Sequence, residues 1–283
     1  LTVEIAMLHR VLPADRIPDG PERRRTLTPD LLEAFLEERS DHARPSPAEL
    51  LDLPADRPRL LVTCDGGTVD FAEQVLPVLE RHGVHAVLFV VSDWARGVGE
   101  PLDLSLWRAL SRRQRIEVPG RGTLPLRGEA ERLAALDALL RICEPLAPAE
   151  RDGLVAALGA DPGDPPGGRF AGPEQIRDLA RHPLVTIGVA GRSHSYLPAL
   201  RAERLAAEVA GSRREVEHWV GERVEWFAYP YGAHDAAVRR CVASAGFRFA
   251  CAGPAGPRSV ARLDPLALPR FELGAAAVLA GRA

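Results

Sequence analysis

Three short stretches of the chain carry residue types able to do chemistry. The first is Thr63-Cys64-Asp65-Gly66-Gly67-Thr68. A carboxylate followed by two glycines that permit a tight turn suits Asp65 to a general-base or metal-ligand role. An Asp in such a turn also caps backbone amides, which is the plainer reading of this loop alone. The second stretch, Ile187 to Leu197, holds His194 in a Gly/Ser-rich turn, where a core histidine is less natural. An imidazole there can move protons near neutral pH, or sit at the surface without a role. The third is Phe227-Ala228-Tyr229-Pro230-Tyr231-Gly232. Two tyrosines around a proline make a stiff aromatic edge that suits a sugar or acyl group. A proline turn with packed tyrosines accounts for the same residues.

Each stretch directly follows an apolar run that reads as a strand: Arg59 to Cys64, Val185 to Val189 and Arg223 to Ala228. Further strands are expected at Val3 to Leu8, Val84 to Val91, Phe247 to Ala252 and Leu268 to Glu272. The run Arg59 to Cys64 is nearly all apolar, as buried parallel strands are. Helical patterns fill the intervals. One runs from Pro29 to Glu38 with Thr28 as its cap, and one from Asp70 to His82, stopped by Gly83. Others cover Gly172 to Ala180, Leu200 to Val220 and Asp235 to Ala245. This rhythm predicts an α/β fold with six or seven parallel strands closing into a barrel, irregular or incompletely closed. Sites in such folds collect at the carboxyl ends of the strands.

Residues 95–173 depart from the rhythm. Gly/Pro clusters (Asp161 to Gly168) border the helical stretch Ala130 to Leu146, and no alternating strand pattern stands out. We read one domain, 1–283, with a helical insertion at 95–173 that forms a lid, a side wall or a packed excursion.

Composition narrows the function classes. The apolar share is 46% and the charged share 27% of 283 residues, which excludes global disorder. A net charge of −3 recommends neither nucleic acid nor an anionic membrane as partner. Every non-histidine basic residue is arginine, and Lys and Asn are absent, a matter of codon bias or heat adaptation rather than function. No apolar stretch reaches the roughly 20 residues of a membrane span. Leu1 to Met7 lacks the basic front of a signal peptide. The four scattered cysteines form no CxxC pair, so free thiols and a cytoplasmic setting are expected.

Together, the order, spacing and flanks of the three loops resemble the polysaccharide deacetylase family, the NodB homology domain of carbohydrate esterase family four. The exopolysaccharide branch carries the third motif in the form seen intact at 227 to 232. Met7-Leu8-His9-Arg10-Val11, Leu76 to Val90 and Leu268-Pro269-Arg270-Phe271 also resemble that branch. The resemblance spans nearly the whole chain. It implies a distorted (β/α) barrel of the polysaccharide deacetylase type that hydrolyses an N-acetyl group from an amino sugar. It also implies an Asp-His-His set holding a divalent metal, usually zinc, with a second Asp as base.

The match breaks at the metal. Asp65 corresponds to the family's catalytic base, but its metal-ligating Asp is Gly66 here, its first metal histidine is Ala190, and only the second survives, as His194. The family's loop arginine is replaced by Ala228, as is usual in this branch, and no Leu-x-His motif supplies a catalytic acid. No cofactor is therefore expected. Zinc would require a site rebuilt from His9, Asp65 and His194, with Asp70, Asp93 and His234 as further candidates. The expected function is a diverged deacetylase-like hydrolase acting on an acylated amino sugar or small metabolite. Asp65 and His194 would be its catalytic acid–base residues. His9, Tyr229, Pro230, Tyr231 and Gly232 would line the substrate, with either tyrosine serving the oxyanion. The alternative is a non-catalytic protein that binds a glycan or metabolite in the same pocket.

Overall fold

Apolar runs become seven parallel strands in the computed structural model: β1 (Thr2–Leu8), β2 (Arg59–Gly66), β3 (Ala86–Val90), β4 (Val185–Val189), β5 (Trp226–Ala228), β6 (Phe249–Pro254) and β7 (Leu268–Glu272). Their order is β1-β7-β6-β5-β4-β3-β2, and β2 pairs back onto β1, Val3 opposite Arg59 through Leu8 opposite Cys64. The sheet is thus a closed (β/α) barrel. A two-residue strand, Arg258–Ser259, adds antiparallel to the start of β1. The structure describes residues 2–52, 57–118, 120–159, 169–254, 258–259 and 263–274.

Alternation along each strand divides the side chains between two cores. Val3, Ile5, Leu61, Val87, Phe89, Trp226, Phe249, Cys251 and Leu268 fill the barrel interior. The intervening residues, such as Ala6, Leu8, Leu60, Val62 and Leu88, pack outward against the helices. Tight packing leaves little freedom inside: a Cβ at Gly188 would overlap the ring of Phe89. Arg59 is buried and donates to the carbonyl of Leu50 at 2.6 Å.

The surrounding helices are α1 (Pro29–Glu37), α2 (Leu76–His82), α3 (Leu102–Ser111), α4 (Glu129–Cys143), α5 (Pro148–Ala157), α6 (Pro173–Ala180), α7 (Ser212–Val220) and α8 (Ala236–Ser244). Their ends follow the expected chemistry. The Thr28 hydroxyl accepts from the Leu31 amide at 3.3 Å to cap α1, Asp235 accepts from the Val238 amide at 2.8 Å to cap α8, and Gly83 ends α2 with φ of 59°.

Two expectations need correction. The runs ahead of α2 and α7 are not uniform helix: Phe71–Val75 and Ala207–Gly211 are π turns. Periodicity over an 11-residue or longer window does not detect a one-residue widening of the hydrogen-bond ladder. Between β3 and β4 the chain also holds a hairpin, Arg115–Val118 with Gly122–Pro125. Its first strand does alternate, with Ile116 and Val118 buried and their neighbours exposed, but four residues are too few to stand out. The hairpin, α3, α4 and α5 share a separate apolar core built from Leu106, Leu110, Ile116, Leu136 and Leu139. The Gly/Pro cluster Asp161 to Gly168 lies outside the described residues. No helix among the described residues is long and apolar enough to cross a membrane.

Candidate functional site

The inward register does not end with the barrel core. Two residues beyond Ile5 come Met7 and then His9. Likewise Asp65 continues the column of Leu61, and Arg270 and Glu272 that of Leu268. Ala190 and Ala228 end the β4 and β5 columns. All of these line a cavity of about 340 Å³ at the carboxyl ends of the strands. That volume is at the low end of the roughly 300–1,000 Å³ typical of ligand sites. Leu102, Asp103, Leu140 and Glu144 close one side from α3 and the end of α4.

Asp65 stands at the floor. Its two oxygens accept from Arg270, Nη1 to Oδ1 at 2.6 Å and Nη2 to Oδ2 at 3.0 Å. Arg270 is only 3% exposed and also donates to the Thr63 hydroxyl at 3.3 Å. Burial pushes the Asp65 carboxyl up, but the charge and hydrogen bonds of Arg270, with the two histidines, outweigh it and hold the group below the usual carboxylate range. Asp65 is an ionised carboxylate at neutral pH. Arg270 is the residue that sequence reading missed. The third loop has Ala228 and no arginine, and a guanidinium reaches Asp65 from β7. The signal was its even spacing from Leu268, which puts it on the inner face of the strand.

His194 and His9 both feel the Asp65 charge. Burial lowers His194 to about 4 despite Asp65, and lowers His9 as well, so both rings are neutral at pH 7. His9 Nδ1 lies 3.6 Å from Glu272 Oε1 and has no hydrogen-bond partner among the described residues. The His194 ring is flanked by Trp94, with centroids 5.1 Å apart, and by the edge of Tyr231 at 4.9 Å. Both His194 and Tyr231 have positive φ, 55° and 59°. Such a conformation costs a non-glycine residue roughly 1–3 kcal/mol and persists only where its surroundings fix it.

The third loop divides between lining and support. Tyr231 and Gly232 line the cavity. Burial raises the Tyr231 phenol well above its ordinary value, so it is a hydrogen-bond donor at any physiological pH. Tyr229 contributes to the wall, but it is 1% exposed and its hydroxyl donates to the Leu266 carbonyl at 2.9 Å. Pro230 is buried beside Gly191. Of the two tyrosines, Tyr231 is the one whose hydroxyl has no protein acceptor among the described residues.

Zinc needs about three protein ligands in a catalytic site. Gly66 and Ala190 offer none, and both oxygens of Asp65 are committed to Arg270. The space beside Gly66 is aromatic: a Cβ there would lie 3.9 Å from both Trp94 and Phe170, which stack on each other at 5.1 Å. Gly66 itself has φ of 98°, a conformation that disfavours any side chain. The further candidates are engaged elsewhere. Asp70 accepts from the Val11 amide and Arg10, Asp93 pairs with Arg96 and Arg192, and His234 packs against Tyr229 at 4.6 Å. Among the described residues no three His, Cys, Asp or Glu side chains gather as a metal site. The donors present do not fit the three-ligand site that the resemblance implies.

An ionic wall completes the cavity. Glu22 accepts from Arg10 at 3.1 Å and from Arg169, joining the end of β1 to the segment before β4. Glu144, half-buried at the end of α4, has a pKa raised by burial and by Asp103 against the pull of Arg25.

The chain matches the family model described as polysaccharide deacetylase over residues 52–250. No curated protein sequence matches it. Among solved structures, the Streptococcus pyogenes deacetylase PplD, in complex with acetate, aligns with a TM-score of 0.62 at 14% identity, covering 97% of this chain and 93% of that one. IcaB from Ammonifex degensii gives 0.61 at 16% identity, covering 99% and 96%. The deacetylase domain of BpsB from Bordetella bronchiseptica gives 0.58 at 19%, covering 96% of each chain. A closed parallel barrel, motif loops at the carboxyl ends of its strands and a family match over most of the chain lead to one conclusion: this chain belongs to the polysaccharide deacetylase family.

Proposed function

We propose that the protein is a diverged deacetylase-like hydrolase that removes an acyl group from an amino sugar or small metabolite without the family's metal site. The observation that carries this reading is the survival of Asp65 and His194 in one cavity with Tyr231, where positions 66 and 190 offer no ligand. Asp65, held ionised by Arg270, orients the attacking water and takes its proton. Neutral His194 relays that proton, taking it up on one ring nitrogen as it gives the proton of the other to the leaving amine, so that Asp65 ends ionised and the ring ends neutral. The Tyr231 hydroxyl donates to the oxyanion that forms on the acyl carbonyl. His9 and Gly232 contact the substrate, with Tyr229 and Pro230 behind them. The small cavity favours a metabolite or a glycan end over the middle of a polymer. The free thiols of Cys64, Cys143, Cys241 and Cys251 support a reducing, cytoplasmic setting. The chain acts as one domain, with α3 and the end of α4 as the cavity's side wall.

A second reading, a binding protein without turnover, draws on the Arg270 clamp, which occupies both Asp65 oxygens. Elemental analysis of the purified protein after incubation with zinc, nickel or cobalt tests the metal half of the proposal. Metal far below one equivalent is expected. A near-stoichiometric ratio would restore metal-assisted deacetylation.

A further inference from the structure

The loop that carries His194 is built around a buried charge. Glu208 is 0% exposed and lies in the π turn Ala207–Gly211. Its Oε2 accepts from two successive main-chain amides, Arg192 at 3.0 Å and Ser193 at 2.9 Å, while Oε1 accepts from the Ser193 hydroxyl at 2.7 Å. Successive amides converging on one anion form a nest, a rigid local fold of the backbone. The Ser193 hydroxyl also meets that of buried Ser195 at 2.8 Å, so the residues on both sides of His194 are tied to the same carboxylate. Gly191, with φ of 81°, allows the approach: a Cβ there would lie 3.4 Å from Oε2. Arg204 lies 3.8 Å from Oε1, the nearest balancing charge. Charged acceptors make short, strong hydrogen bonds, and here three of them converge on the two residues before a histidine in the left-handed conformation. The glutamate sits, buried, within a π turn, a feature that clusters at functional sites.

We propose that Glu208 is a positioning residue for His194: its carboxylate holds the 191–195 turn in the conformation that presents the imidazole to the cavity between Trp94 and Tyr231. The inference rests on the acid–base reading only for its effect on turnover. Its effect on the ring is independent of any reaction.

The test uses full-length protein with isotope-labelled histidine, the His194 ring signals being assigned by their loss in His194→Ala. Glu208→Ala is expected to shift or broaden those signals while the other histidines keep theirs, and Glu208→Gln, which can still accept from both amides, is expected to restore them in large part. With p-nitrophenyl acetate as probe, Glu208→Ala should lower kcat on the order of 100-fold, the scale of a small misplacement of a reacting group, with KM nearly unchanged. Folded Glu208→Ala with unaltered His194 signals overturns the proposal. If that variant does not fold, Ser193→Ala takes its place: it removes one of the three bonds, should move the same signals less far, and overturns the proposal if it leaves them in place. Shifted ring signals together with full turnover in His194→Ala would sink the acid–base reading and leave the positioning role standing.

Discussion

Asp65 and Arg270 show how one residue's role depends on another's burial. The sequence suggests that Asp65→Asn would remove activity and spare the fold. The structure alters the second half, because the substitution leaves Arg270, 3% exposed, without its counter-charge. Breaking a buried ion pair from one side costs more than the pair contributes. An amide oxygen retains one of the two bonds, so the loss should be on the order of 2–4 kcal/mol. Urea unfolding of Asp65→Asn should show this destabilisation, and turnover should be lost even where the variant is fully folded. His194→Ala should lose turnover with a much smaller change in stability, since the ring makes contacts to Trp94 and Tyr231 and no ion pair. Equal stability for wild type and Asp65→Asn would contradict the pairing described here.

The elements that carry these residues were the most legible part of the sequence. Val185–Val189 and Leu268–Glu272 have the bounds that their apolar runs imply, and Gly83 and Asp235 end and begin helices as their chemistry requires. Long-range pairings were not legible. Nothing within a window around Arg270 or Glu208 reveals that the first meets Asp65, 205 residues away, or that the second meets Ser193 from the next helix. Tyr229 was equally opaque, because motif spacing shows an aromatic side chain but not whether its hydroxyl faces the cavity or a carbonyl. The third loop also depends on a strand that lies beyond the helix following it. Gly232 has φ of 67°, and a Cβ there would overlap the backbone of Gly253 in β6. Gly232→Ala combines a disfavoured backbone conformation with a clash against a strand. It should destabilise the protein by about 2–4 kcal/mol and perturb the adjoining Tyr231. Thermal unfolding together with Tyr231→Phe kinetics checks both; a neutral Gly232→Ala would mean that the loop and β6 do not touch.

At the scale of the whole molecule, the barrel closes its own core and leaves the site to be walled by other parts of the chain. Helices α3 and α4, between β3 and β4, supply one side, and the Glu22 ion pairs another. The neutral histidines at the centre make global stability depend on pH. The His194 pKa is lowered to about 4 in the folded state from 6.5 when unfolded. Between these values the unfolded chain binds the additional proton, so stability falls as pH drops from above 6.5 to 4 and is regained as pH rises. The full difference is on the order of 3 kcal/mol, and His9 adds in the same direction. Denaturant midpoints measured from pH 7 to pH 4 should decline less steeply in His194→Ala than in wild type. Parallel declines would contradict a buried neutral imidazole.

The central claim is that this barrel hydrolyses acyl groups through Asp65 and His194 without the family's metal. Its most direct test is acetate release from N-acetylglucosamine oligosaccharides and p-nitrophenyl acetate by chelator-treated protein, wild type beside His194→Ala. The account predicts release by the chelated wild type and none above background by the variant. Release that vanishes on chelation, or that is unchanged in His194→Ala, would contradict it.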